Sequence, residues 1–84
     1  MANVLVGPEV QRQVDRLLMV IRARVWRLIH RLGKWPEISG AKPLRGKLAG
    51  RYRLRTGDYR LQFHVQGDEV RVEKIGHRDR FYQE

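Results

Sequence analysis

Between residues 51 and 77 the chain alternates polar with apolar residues at a period of two, and it is interrupted twice by Gly-Asp. Few patterns constrain a chain more. A period of two puts successive side chains on opposite faces of a strand, and a Gly-Asp pair between two such runs is a hairpin signal. In the first run Tyr52 and Leu54 share one face, and Arg51, Arg53 and Arg55 the other. After Gly57-Asp58, Tyr59, Leu61, Phe63 and Val65 share a face, with Arg60, Gln62 and His64 opposite. The expected strands are Arg51–Thr56, Tyr59–Gln66 and Glu69–His77, joined by Gly57-Asp58 and Gly67-Asp68 as an antiparallel meander. In the third run Val70 and Val72 are in phase but Ile75 is not, which asks for a bulge between Val72 and Ile75. If Ile75 points inward, Arg78 points the way of Arg53, Arg55 and Arg60.

The sheet needs something to cover its apolar face. Val10, Val14, Leu17, Leu18, Ile21, Val25, Leu28, Ile29 and Leu32 recur in steps of one, three or four, the mark of an amphipathic helix. Pro8 suits a first helical turn, Glu9 suits the positive helix N-terminus, and Gly33 suits the stop. One helix of about 24 residues within 8–33 would be about 36 Å long, too long for so small a domain. The expectation is two antiparallel helices, broken near residues 18–20, although no Gly or Pro marks the break. The same apolar positions also fit a heptad seam, but core is the commoner use. Residues 3–6 form a short apolar run fit for an edge strand, which would make a fourth. Trp35 should close one end of the core, and residues 42–50 read as a connector anchored by Leu44 and Leu48. The fold class expected is α+β: a helical hairpin packed on a twisted antiparallel sheet of three to four strands, in one domain spanning 1–84.

Eighty-four residues hold one thin core, with stability on the order of 5 kcal/mol. With no cysteine, neither disulfides nor thiolate metal sites are available. There is no apolar run long enough for a membrane span, and the N-terminus lacks the pattern of a signal peptide. A cytoplasmic protein is expected. The net charge is +9, from 18 basic and nine acidic residues. Fourteen of the basic residues are arginine, which grips phosphate bidentately and stacks on bases better than lysine does.

Arg53, Arg55, Arg60 and Arg78 should therefore converge on the solvent face of the sheet. Like charges so placed repel unless an anion compensates them. A scissile phosphate is one such anion, because preorganised guanidiniums stabilise its transition state. RNA cleavage by the neighbouring 2′-OH needs no metal, but it does need groups that take and give protons. His77, His64 and Tyr82 are the candidates. A solvated face, a nucleic-acid grip and a catalytic site all fit the arginine pattern by itself. Three scattered histidines and no close carboxylate cluster argue against a metal, and Ser39, the one serine, has no histidine near it.

Three stretches carry a resemblance. Leu44-Arg45-Gly46, then Gly50-Arg51-Tyr52-Arg53-Leu54-Arg55-Thr56-Gly57-Asp58-Tyr59-Arg60-Leu61, then Val72 to Tyr82 with Gly76-His77-Arg78, resemble the RelE/ParE toxin superfamily of toxin–antitoxin systems. The first 43 residues resemble it only in pattern. For the RelE branch the resemblance implies a ribosome-dependent endoribonuclease that cuts mRNA. It implies Arg60 on the phosphate, Arg78 as a second active-site arginine, and Tyr82 orienting or deprotonating the nucleophile. Arg53 and Arg55 stand where the best-known members carry lysine, and arginine cannot serve as a general base. His77, beside Arg78, is proposed to take that role. Arg45, Lys47, Arg51, Arg53, Arg55 and Arg80 are the candidate RNA and phosphate contacts. The implied partners are a cognate antitoxin, the ribosome and mRNA, with no membrane, metal or small-molecule cofactor. The alternatives are a ParE-like gyrase inhibitor without catalytic activity, and an inactive nucleic-acid-binding member.

Overall fold

A computed structural model describes residues 2–81, without the side chains at 80 and 81. Tyr82 and the Arg80 side chain therefore lie outside the described residues. The chain runs β1 (Asn3–Val6), α1 (Pro8–Asp15), α2 (Met19–Arg31), β2 (Lys42–Pro43), β3 (Arg51–Thr56), β4 (Tyr59–Gln66), β5 (Glu69–His77) and α3 (Arg78–Phe81). Short 3-10 turns lie at Leu32–Lys34 and Gly46–Leu48.

The meander forms as its alternation demands. β3 pairs antiparallel with β4, and β4 with β5, around turns in which Gly57 and Gly67 take φ of 58° and 59°. A residue with a Cβ rarely adopts that region, so glycine carries both turns. The expected bulge is present. Gln62 faces Lys74 while Phe63 faces Val72, so β5 accommodates one extra residue, Glu73. That residue resets the phase, and Val72 and Ile75 both reach the core.

The sheet departs from expectation in number and direction. It has five strands, ordered β1-β5-β4-β3-β2, and it is mixed. β1 lies parallel to β5, pairing Val4 with Val70 and Val6 with Val72. A tight turn dictates antiparallel pairing, but some 60 residues separate β1 from its partner, so no local signal sets its direction. β2 is two residues long, lies inside the expected connector, and pairs with Arg53 and Tyr52. Its Pro43 cannot donate to a ladder, which suits so short an edge strand.

The helical stretch does divide in two, at residues 16–18. The Leu17 N–H still bonds to the Val14 carbonyl, but Leu18 is extended (ψ 146°), and its carbonyl then accepts the first bond of α2 from Arg22. The split comes just ahead of the expected place. It changes one assignment: Leu18 leaves the apolar stripe and stands 75% exposed, beside Met19 and Val20. The stripe that remains, Val10, Val14, Val25, Leu28, Ile29 and Leu32, packs on Leu54, Leu61, Phe63, Val70, Val72 and Ile75. Trp35 sits edge-on against Tyr52 and Phe63, with ring centres 4.6 and 5.4 Å away, and covers one end of that core.

Candidate functional site

With the helices on the apolar face, the odd-numbered arginines of β3 stand on the other face with Arg60 of β4. The registry places Arg55 directly opposite Arg60. Like charges in that position destabilise a sheet, so an anion between them would relieve a cost already present. On its other side Arg60 faces Gly76, which has no side chain to crowd it. Its Nη1 donates to the Gly57 carbonyl at 3.3 Å, holding the guanidinium toward the β3–β4 turn.

β2 ends after covering only Tyr52 and Arg53, so β3 beyond that point has no neighbour on this edge. A hollow of about 430 Å³ occupies the gap. Arg53, Arg55 and Arg60 line it from the sheet, and Lys42 and Arg31 from the short strand and the end of α2. Leu54, Ser39 and Gly40 complete its wall. Arg31 Nη2 donates to the Ser39 carbonyl at 2.9 Å, which ties the loop to the helix. Five cations thus meet, and no Asp or Glu among the described residues lines the hollow.

The other candidates are placed differently. Arg51 is committed to Glu73: its Nε donates to Oε1 at 2.8 Å, and Gln62 Nε2 donates to the same oxygen at 3.2 Å. Arg45 and Lys47 are exposed around the Gly46–Leu48 turn, whose chain leads into the far end of β3. At about 3.3 Å per residue, Arg51 at that end is roughly 13 Å from Arg55. His64, opposite Arg51, does not line the hollow either.

His77 and Arg78 gather on the Gly57-Asp58 turn. Arg78 Nε lies 3.8 Å from Asp58 Oδ1, and His77 Nε2 lies 4.0 Å from Oδ2. Arg60 and Arg78 therefore reach adjacent residues of one turn. His77 follows the core-facing phase of Ile75. Its ring meets Tyr59 edge-on at 5.4 Å and lines a second hollow with Ile21 and Arg24. The structure does not bring His77 into the arginine hollow. Its Nδ1 accepts the Asp79 N–H at 3.2 Å.

Arg31 and Lys42 are the site residues that sequence reasoning missed. Each is one cation among many, off any motif, and only the end of α2 and the two-residue β2 bring them to the sheet. Among the described residues, no group of three or more His, Asp or Glu is placed to hold a metal ion. No helix among them is long and apolar enough to cross a membrane.

No protein-family model matches the sequence, and no curated protein matches it. Solved structures do. The RelBE2 toxin–antitoxin complex of Mycobacterium tuberculosis superposes with a TM-score of 0.77 at 29% identity, over 92% of this chain and 98% of that one. The RelB–RelE antitoxin–toxin complex of Methanococcus jannaschii gives 0.74 at 22% identity, over 94% and 95%. The isolated RelE toxin of E. coli gives 0.74 at 20% identity, over 92% and 84%. The fold of the chain is similar to that of these RelE toxins, which supports the resemblance to the RelE/ParE toxin superfamily carried by the residues quoted above.

Proposed function

We propose that the chain is the toxin of a type II toxin–antitoxin pair and that it cuts mRNA on the ribosome, by attack of a 2′-OH on the adjacent phosphate. The observation that carries this reading is the hollow at the open edge of β3, where Arg31, Lys42, Arg53, Arg55 and Arg60 meet and no Asp or Glu among the described residues forms part of the lining. Such an array suits one phosphodiester whose charge grows in the transition state. Arg55 and Arg60 hold the phosphate from facing strands. Arg78, anchored beside the Asp58 carboxylate, is the second arginine that the resemblance implies.

The reaction also needs proton transfer, and guanidiniums hold their protons at any ordinary pH. Of the cations lining the hollow, Lys42 is the one whose chemistry allows exchange. We therefore assign the general-base role to Lys42 or to Tyr82, and none to His77, whose ring turns toward the helices. The solved neighbours include antitoxin complexes, which supports an antitoxin partner for this chain. Its acidic segment would cover the arginines.

The test is translation of a reporter mRNA by purified ribosomes with added toxin, read by primer extension. Cuts within codons are expected. Intact mRNA together with trapped gyrase–DNA complexes would instead establish the gyrase-inhibitor reading.

A further inference from the structure

The arginine hollow does not end at the sheet. A neighbouring hollow of about 300 Å³ continues from it over the edge of β3 and along α2. Arg31 and Arg55 line both, so the two are contiguous. The second adds Arg24 and Arg27, one face of α2 at steps of three and four residues. Together the three helix arginines span about 10 Å of the axis. Arg24 reaches the β3–β4 turn: its Nη1 lies 3.9 Å from where a Cβ on Gly57 would stand. Again no Asp or Glu among the described residues lines the groove.

We propose that Arg24, Arg27 and Arg31 form a backbone track for the RNA strand flanking the nucleotides held at Arg55 and Arg60. This rests on the RNA-cutting reading and adds the path of the strand to it. Charge complementarity names a polyanion, and the composition of the groove selects between two kinds. A docking site for a protein segment is built around buried apolar anchors. Here the apolar lining is Leu28 alone, with Thr56 and four arginines around it. A charged, weakly apolar groove is the signature of nucleic-acid contact. Guanidiniums about one helical turn apart suit successive phosphates, each gripped from the side without reading a base.

The experiment is fluorescence anisotropy of the full chain with a 4-nucleotide and a 12-nucleotide single-stranded RNA across a salt series. The variant is the double substitution Arg24→Gln with Arg27→Gln. Both side chains are exposed, and Arg31, which holds the Ser39 carbonyl, is left in place. Circular dichroism melting checks that the variant folds as the parent does. Losing two phosphate contacts should reduce the slope of log K against log salt for the 12-mer by about 1.4. Its affinity at 0.1 M salt should fall roughly tenfold, while the 4-mer binds as before. An unchanged slope and affinity for the 12-mer would make the arginines a solvated face and overturn the track. So would RNA binding that survives while a twelve-residue polyglutamate loses its affinity, since the groove would then serve an acidic protein. Absence of mRNA cutting by the parent would defeat the enzymatic reading and leave this binding comparison separately decided.

Discussion

At the scale of single residues, arginines that look alike in the sequence have different work. Arg51, Arg53 and Arg55 share a face of one strand, yet Arg51 is bound to Glu73 while Arg55 opens into the hollow. Arg51→Ala should cost about 1 kcal/mol of stability, since it removes a half-buried, charge-assisted bond. It should change RNA affinity far less than Arg55→Ala does. Chemical denaturation and RNA titration of the two variants measure both. Lys42→Arg separates charge from proton transfer. If Lys42 is the base, RNA affinity stays within about twofold while cleavage falls roughly 100-fold or more. Cleavage that survives leaves the base to Tyr82. The alternation located Arg53, Arg55 and Arg60 because period two fixes a face without knowledge of the fold. It could not show which of them meets a carboxylate. That depends on Glu73, whose outward position follows from the bulge. Arg31 and Lys42 were illegible for a different reason: their nearness to the sheet is a tertiary fact about the end of α2 and a two-residue strand.

At the scale of elements, legibility followed the range of the signal. The two Gly-Asp turns fixed three strands and their pairing, and the phase slip between Val72 and Ile75 located the bulge. Deleting Glu73 should remove that slip and leave Val72, Lys74 and Ile75 in regular alternation, with Ile75 still inward, so the cooperative melt should survive at a cost of about 1 kcal/mol for the lost Arg51–Glu73 bond. Loss of the cooperative melt in the deletion variant would show that the bulge does more than correct the phase of the strand. The helix break was inferred from length alone, since residues 16–18 hold no Gly or Pro to mark it. The direction of β1 had no local determinant, and β2 was too short for any pattern. Phe63 is the fully buried side chain that touches both Trp35 and Tyr52. Phe63→Ala should cost about 3–5 kcal/mol, which is on the order of the whole stability of so small a domain. Calorimetry is expected to show little or no folded protein at room temperature.

At the scale of the molecule, one sheet has an apolar face buried under helices and a basic face that gathers arginines at its open edge. Helices α1 and α2 cover the first. The second carries arginines whose mutual repulsion the core must hold in place. That division explains a net charge of +9 on a chain with so few acidic residues to spare. It also implies that an acidic partner, by neutralising the cleft, should stabilise the fold as well as block it. The open edge of β3 joins the sheet arginines to those of α2. The decisive measurement is primer extension on a reporter mRNA translated with the parent chain and with the Arg55→Ala, Arg60→Ala double variant. Cuts within codons are expected for the parent. A loss of about 100-fold or more is expected in the variant, at nearly unchanged melting temperature. Cutting at the parental rate by a folded double variant, or no cutting by the parent, would contradict cleavage at the arginine hollow.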